Sequence, residues 1–436
     1  FSISQTSLES KLEALQCHFT WDLDLSRSKL FRLRSQLEDI GTEEGNSWLG
    51  HIYNLRGYVQ YKLGFTEDAQ SLFNKAAEAF CQTRRADEGP WLVVNYGNQA
   101  WLHHHLGEQA ESQAYLSKVD ALMNEYPSPS QNKRHPEIYA EKAWTLMKFG
   151  ADKKLLAANY FQRAIKMQPD MVEWFTSRVF AKAAVRANTG LDAEMLEEMR
   201  IAKEQDPENL YLAAHYLRQN AETMEKEKVA EEARELAQKI LMNPVSSYSG
   251  LKPLLWVYRN YVSVDEAVDL AEEALKHHPD VRFLKSCVAL CYKSKIYCVR
   301  DGPPDQSMID RAISLLEELI SIYPEPSLMR KIDLANIYAK SNHSQAKAEQ
   351  IYQELLESDL DPADKQMVYN KYAKYLHFVL NDSCRSAQCH MRAAEILIQS
   401  HFRRDSVTNL EKIRDRNWHQ MRREVEEFLE KLPEPQ

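Results

Sequence analysis

Glycine is scarce in this chain, and strand-favouring residues nowhere alternate with polar ones. Only 12 of the 436 residues are glycine, which leaves few of the tight turns that join strands. Runs of alternating β-branched residues, the usual pattern of half-buried strands, are missing too. The sequence therefore predicts an all-α protein.

Long apolar runs are also missing. No stretch approaches the roughly 18 apolar residues that a membrane-spanning helix requires. The first residues, FSISQTSLESKLEALQC, resemble an amphipathic helix more than a secretory leader. The seven cysteines are an odd number without a secretory context, which favours reduced thiols over disulfides. We expect a soluble, cytoplasmic protein.

Motifs of catalysis and metal binding are missing from the sequence. There is no glycine-rich phosphate loop, nucleophile elbow or HExxH zinc helix. Cys287 and Cys291 are one helical turn apart, but no second ligand pair lies at zinc-finger spacing. His103, His104 and His105 point in different directions on a helix, whereas a chelating pair needs i,i+4 spacing. We expect neither an enzyme nor a bound metal or cofactor.

A repeated pair of helices is what the sequence does contain. The clearest copy is residues 250–279, where two apolar stripes at helical spacing are followed by Pro279. Small Ala267 and Ala274 allow the two helices to approach closely. Prolines that end such units recur at intervals of about 35 to 45 residues, close to the tetratricopeptide period of about 34: Pro169, Pro207, Pro244, Pro279, Pro324 and Pro362. One pair cannot bury both stripes, so neighbouring copies must stack.

The repeats divide the chain into three parts. Residues 1–47 are expected to form a helical segment, with one helix up to about Trp21 and a second around Leu30 to Ile40. Residues 48–400 are expected to form about eight or nine helix pairs. Residues 401–436 should form one charged helix, from about Val407 to Lys431. The predicted fold is an all-α, right-handed superhelical solenoid of tetratricopeptide repeats.

The distribution of charge points to a binding surface. A formal net charge of −9 argues against nucleic acid, but acids concentrate in the second helices of the repeats. Three first helices contain no acid: residues 174–190, 243–264 and 281–300. Their candidate contact residues are Lys182, Arg186, Lys252, Trp256 and Lys285. If first helices line the concave face, that face is positive; the opposing interpretation is that the charges are solvated and the aromatics belong to the core.

Five segments of the sequence resemble the interferon-induced proteins with tetratricopeptide repeats. They are CHFTWDL (17–23), YNLRGYVQYKLG (53–64), NYGNQAW (95–101), EKAWTLMKFG (141–150) and LCYK (290–293). The likeness runs over nearly the whole chain, and the CHFTW segment is highly specific. It implies an antiviral protein of vertebrate innate immunity that binds single-stranded RNA. Some members of that family hold a 5′-triphosphate or cap end in a basic channel, and members pair with one another.

The resemblance also implies particular RNA contacts. Trp144 and Lys148 match a tryptophan and a lysine of the family, so Lys148 would hold the 5′-phosphates and Trp144 would stack on or wall the terminal nucleotide. Phe283 matches as well, and Lys252 replaces an arginine. Several positions depart from the family: Gln36 (with Arg34 nearby), Lys154 in place of a tyrosine, Pro253, Ser286 and Cys287. The family has an arginine at a position that falls near Ala184 here, and we expect Lys182 or Arg186 to supply its positive charge. These departures put cap and base discrimination in doubt more than phosphate binding.

Two functions remain open from the sequence. One is an RNA sensor that sequesters 5′-triphosphate RNA. The other is a tetratricopeptide adaptor, which clasps an acidic peptide or acts by forming homo- or hetero-oligomers with related proteins.

Overall fold

The computed structural model describes most of the chain. The described residues are 2–40, 46–84, 89–128, 134–186, 190, 192–243, 249–299, 302–323, 327–416 and 419–433. All regular secondary structure in these ranges is helical. The chain divides into two compact units, Phe1–Leu284 and Lys285–Gln436.

The first unit begins with three short elements. These are α1 (Ser2–Glu13), a 3₁₀ turn (His18–Thr20) and α2 (Arg27–Asp39). The helix predicted to run to about Trp21 therefore ends at Glu13. The reason is local: the Thr20 hydroxyl donates to the carbonyl of Leu15 at 2.7 Å and accepts from the amide of Cys17 at 3.2 Å. This side chain gives the backbone an alternative to further helical turns.

Six helix pairs follow in the first unit, and the two helices of each pair are in contact. The helices are α3 (Leu49–Leu63), α4 (Thr66–Arg84), α5 (Val93–His105), α6 (Gln109–Glu125), α7 (Pro136–Leu146), α8 (Ala151–Met167), α9 (Val172–Arg186), α10 (Ala193–Gln205), α11 (Leu210–Asn220), α12 (Lys226–Leu241), α13 (Leu251–Val257) and α14 (Val264–His277). A π-helical turn, Tyr258–Val262, continues α13. Helix α15 (Arg282–Cys298) begins in this unit.

The second unit is also a succession of contacting helices. They are α16 (Gln306–Ile322), α17 (Leu328–Tyr338), α18 (Gln345–Glu357), α19 (Pro362–Phe378), α20 (Ser383–Glu395), α21 (His401–Asp415) and α22 (Arg422–Lys431). Across the described ranges of both units, no helix combines the length and apolarity needed to cross a bilayer.

Two helices, and not the single one predicted, occupy residues 401–433. Leu410 on α21 and Met421 and Val425 at the start of α22 are buried in the same apolar cluster. One straight helix would turn some of these side chains to solvent, so two helices form: α21 ends at Asp415 and α22 begins at Arg422. The Met421 amide donates to His419 Nδ1 at 3.1 Å just before α22.

Small residues allow the paired helices to pack closely. A Cβ on Gly57 of α3 would lie 2.6 Å from Cε1 of Phe73 on α4, and one on Gly50 would lie 2.7 Å from the ring of Phe80. Both phenylalanines are buried. Glycine at these two positions therefore makes room for two of the largest side chains in the core.

Three of the terminal prolines lie where a helix stops. Pro169, Pro207 and Pro279 each lie just beyond the ends of α8, α10 and α14, where a residue that cannot continue a helix is common. Pro362 instead occupies the first position of α19, where the lack of an amide proton costs nothing. Pro244 and Pro324 lie outside the described residues.

Candidate nucleic-acid interface

Lys148 and Lys154 are two neighbouring lysines that form no ion pair with a described carboxylate. Lys148 lies in the short turn after α7, and Lys154 lies in the first turns of α8. Burial, together with the charge of Lys154, lowers the pKa of Lys148 to about 8. Among the described residues, neither ammonium forms an ion pair. Two like charges held near each other and partly out of water favour an anion between them.

The indole ring of Trp144 contacts the ammonium group of Lys148. The Lys148 Nζ lies 4.6 Å from the centroid of the Trp144 ring, within the range of a cation–π contact. The ring also stacks on Trp48, with centroids 5.9 Å apart and planes 18° apart. Only 2% of Trp144 is exposed. The ring therefore supports Lys148 from within the protein. The expected stacking of Trp144 on a terminal nucleotide would need a more exposed ring face.

A buried polar network ties α7 to α3 and α5. The Asn54 side-chain amide donates to Oε1 of Glu141 at 2.7 Å, and Asn95 donates to Oδ1 of Asn54 at 2.9 Å. Burial raises the pKa of Glu141 to about 8, so this carboxyl group is largely protonated at neutral pH. Glu141 is one turn before Trp144, so the network sets the position of the segment that carries the lysine pair.

His18, from the CHFTW segment, joins the N-terminal turn to α5 and α7 through a second set of buried hydrogen bonds. Its amide donates to Oδ1 of Asn98 at 3.0 Å, and its Nδ1 lies 3.0 Å from Nδ2 of Asn98. Because the Asn98 Nδ2 can only donate, Nδ1 accepts, and Nε2–H then donates to the hydroxyl of Thr145 at 3.1 Å. Burial lowers the pKa of His18 to about 3, which keeps it neutral. The sequence analysis includes His18 only as part of the CHFTW segment and predicts no structural role for it.

The predicted contacts Lys182 and Arg186 on α9 are paired with acids of the following segment. Lys182 Nζ lies 2.5 Å from Glu198 on α10, and Arg186 lies 2.7 Å from Asp192. Arg178 also reaches Glu198, at 3.2 Å. The segment 174–190 is free of acids, as its sequence shows, but α9 begins earlier and includes Glu173. Acids of the following segment also partly neutralise its cations.

The remaining predicted contacts have varied surroundings. Arg34 lies over the ring of Phe31 at 4.7 Å, and Gln36 is exposed. Lys252 is exposed and Phe283 is buried. Lys285 is paired with Glu318. Thus the described hydrogen bonds and ion pairs join none of these residues to Lys148 or Lys154.

Arg218 is a cation that sequence reasoning missed. This α11 residue lies 4.6 Å from the ring centroid of Trp256, a predicted contact. Partial burial and the charge of Arg259 lower the pKa of Arg218. The helix that carries Arg218, LYLAAHYLRQN, contains no second lysine or arginine, so no local pattern of charge predicts this contact. Arg218 and Trp256 therefore form a second group of cation and aromatic within the first unit.

Cysteine and histidine do not form a metal site in the described part of the chain, where no group of three or more potential ligands lies together. Cys287 and Cys291 are both buried. His103 pairs with Glu108 across 2.5 Å, as an ordinary surface contact.

Comparison with known proteins gives relatives over nearly the full chain. No family model matches. The chain is 28% identical over 428 residues to the antiviral innate immune response effector IFIT1 of Macaca fascicularis, covering 93% of this chain and 87% of that protein. It is 27% identical over 440 residues to human protein IFIT1 homolog B, covering 96% and 90%. It is 26% identical over 388 residues to human interferon-induced protein with tetratricopeptide repeats 2, covering 85% and 80%.

Solved structures share the fold. The human IFIT1 dimer with PPP-AAAA and the same dimer with m7Gppp-AAAA each match with a TM-score of 0.70 at 24% identity, covering 96% of this chain and 92% of theirs. The predicted all-α solenoid of tetratricopeptide repeats is thereby confirmed.

Proposed function

The chain is a divergent member of the family of interferon-induced proteins with tetratricopeptide repeats, and from this premise we propose that it is an antiviral, cytoplasmic RNA-binding protein. It holds single-stranded RNA by a 5′-triphosphate end in a basic channel. The names of these relatives describe an immune effector and repeat proteins. The role that we propose is likewise RNA binding without catalysis.

The lysine pair is the observation that carries this proposal. The charge of Lys154 contributes to the lowered pKa of Lys148, so the two ammonium groups lie close together. No described carboxylate forms an ion pair with either of them. A triphosphate oxygen would supply that balance, since charge-assisted contacts in a partly dehydrated site contribute roughly 1.5–3 kcal/mol each. A solved neighbour, the human IFIT1 dimer with PPP-AAAA, supports a triphosphate end as the ligand.

Other residues take supporting parts. Trp144 walls the site beneath Lys148, and the network of Glu141 and Asn54 fixes the segment. Lys182 and Arg186 contribute to phosphate binding when RNA competes with their acid partners. Arg218, over Trp256, offers a further cation beside an aromatic ring to the strand.

Pairing with related proteins is a second part of the proposal. The solved neighbours include a dimer of human IFIT1, which supports homo- or hetero-oligomers here. The adaptor function, binding of acidic peptides without RNA, uses the same cations and therefore has to be separated by experiment.

The test compares RNA ends. Wild type should bind a short single-stranded RNA with a 5′-triphosphate at least about tenfold more tightly than the same RNA with a 5′-hydroxyl. Lys148→Met should remove most of that difference, because it deletes one phosphate contact and one charge. Lys142→Met is the matched control: Lys142 lies on α7 too and faces an aromatic ring, that of Tyr160 at 4.8 Å.

A fluorescence-anisotropy titration of each protein with each RNA gives the answer. The free Lys148→Met protein should be at least as stable to heat as wild type, since it loses a desolvated charge. Equal affinity of wild type for both RNA ends would reject the terminal-phosphate mechanism. Binding of an acidic peptide, with no RNA binding, would establish the adaptor function in its place.

A further inference from the structure

A second pocket, distinct from the lysine pair, lies beside the 3₁₀ turn of the CHFTW segment. The cavity has a volume of about 290 Å³ and lies among α3, α5 and the loop after the turn. Its lining includes four partly exposed rings, Phe19, Tyr61, Trp101 and His105. Two carboxylates, Asp22 and Asp24, line it as well. The RNA-binding proposal uses none of these residues.

The four rings form one continuous aromatic cluster. Phe19 and Trp101 lie parallel, with centroids 6.1 Å apart and planes 9° apart. His105 stacks on both Trp101 and Tyr61, at 5.3 Å in each case. All four side chains keep part of their surface exposed. The rings are too close to enclose a ligand between them, so their exposed faces make a platform along the cavity.

The carboxylates beside this platform have no partner. Asp22 and Asp24 are exposed, and neither hydrogen-bonds or ion-pairs with any residue that the structure describes. Lys62 lies on the same rim but does not come within ion-pairing distance of either. Partial burial, with His104 and Lys62 nearby, lowers the pKa of His105, which favours the neutral form of its ring. The pocket therefore combines π faces with net negative charge.

The geometry points to an arginine side chain of a partner protein as the occupant of this pocket. A guanidinium is planar, stacks on aromatic faces and donates in a fork that matches a carboxylate. An ammonium would satisfy the charge but would use the aromatic platform less well. The cavity volume of about 290 Å³ lies at the lower end of the range of small-ligand pockets, about 300–1,000 Å³, and can hold a single side chain.

The framework of the pocket is held in place by the fold. Trp101 Nε1 donates to the carbonyl of Leu12 at 3.1 Å, which fixes the indole against the N-terminal segment. The Tyr58 hydroxyl donates to the carbonyl of Leu23 at 3.4 Å, between the two acids. Asp22 has φ of +52°, a conformation that asparagine also tolerates. The substitution Asp22→Asn therefore removes the charge without imposing a new backbone strain.

The test uses three blocked tripeptides with glycine on either side of a central arginine, lysine or citrulline. Citrulline keeps the shape of arginine and lacks its charge. Saturation-transfer NMR with the full chain should show the arginine peptide binding with a Kd on the order of 1 mM. The lysine peptide should bind several-fold more weakly than the arginine peptide. The citrulline peptide should bind about tenfold more weakly than the arginine peptide, or weaker still. Equal binding of all three, or no binding of the arginine peptide at ten times that concentration, would overturn the proposal.

Variants place the interaction on the pocket. The double variant Asp22→Asn with Asp24→Asn should lose about tenfold in affinity for the arginine peptide, with an unchanged circular dichroism spectrum. The control is Glu231→Gln with Glu235→Gln, which changes the net charge equally at two exposed positions of α12. If both variants weaken binding to the same extent, the peptide is attracted by overall charge only and the pocket is not its site. Affinity of the double variant for triphosphate RNA should stay unchanged, which separates this result from the RNA proposal.

Discussion

Glu141 is a carboxyl group that the fold keeps protonated. Its usual pKa is near 4.5, and burial raises it to about 8. The unfolded chain releases the proton at the lower value and the folded chain at the higher one. Between them the folded state binds more protons, so this group stabilises the protein fully below about pH 4.5, and that contribution is lost as the pH rises through 8.

Glu141→Gln should remove this dependence. Glutamine keeps an oxygen that accepts from Asn54 and has no proton to lose. Relative to wild type, the variant should gain roughly 1–3 kcal/mol in unfolding free energy between pH 5 and pH 8. Urea unfolding at the two pH values measures the difference. Glu111→Gln, at an exposed position of α6, is the control. A wild-type-to-variant difference that is the same at both pH values would contradict the assigned proton.

At the scale of residues, local spacing was predictable and distant packing was not. The i,i+4 spacing of Trp144 and Lys148 is enough to place the lysine over the ring. The burial of Trp144 depends on Trp48, almost a hundred residues earlier, and no local pattern contains that contact. The same holds for His18, which meets Thr145 across the fold.

At the scale of elements, the acids of one helix decide which cations of the previous helix remain available. Glu198 on α10 binds both Arg178 and Lys182 of α9. Counting charges helix by helix marks α9 as a basic surface, because the count does not include the neighbour across the pair. Each such ion pair is partly exposed and weak, about 0–1 kcal/mol, so RNA phosphate can displace the acid at a modest cost.

Glu198→Gln should therefore strengthen RNA binding if Lys182 lies at the interface. Releasing two cations from a carboxylate should raise affinity for triphosphate RNA by about threefold at low salt. The matched control is Glu197→Gln on the same helix, because Glu197 pairs with Arg200 of α10 itself at 2.7 Å. Both changes alter net charge equally. Unchanged affinity in the Glu198 variant, or an equal rise in both, would remove Lys182 from the interface.

Element boundaries show the same limit. Pro362, one of the prolines predicted to end a repeat, instead occupies the first position of α19, where its missing amide proton costs nothing. The separation of α21 from α22 was not predicted either, since the charged residues of both helices favour one continuous helix. Two helices form because Leu410 and Val425 must enter one apolar cluster, and burial of both is a tertiary condition.

At the scale of the whole molecule, the period of the helix pairs was enough to predict the solenoid. Each pair has two apolar stripes, and only stacking of neighbours buries both. The net charge carried less information. A chain of net charge −9 repels RNA on average, so the proposed RNA binding requires local groups of cations such as Lys148 and Lys154.

This contrast predicts the salt dependence of binding. If about three to five phosphates are neutralised locally, the logarithm of affinity for triphosphate RNA should fall against the logarithm of salt with a slope of about −2 to −4, near −0.7 for each single-strand contact. Lys148→Met should flatten the slope by about 0.7, whereas Lys142→Met should leave it as in wild type. Anisotropy titrations from about 50 to 300 mM salt measure these slopes. A wild-type slope near zero, or one that both variants flatten equally, would show that the lysine pair does not contact phosphate and that the RNA is held by other means.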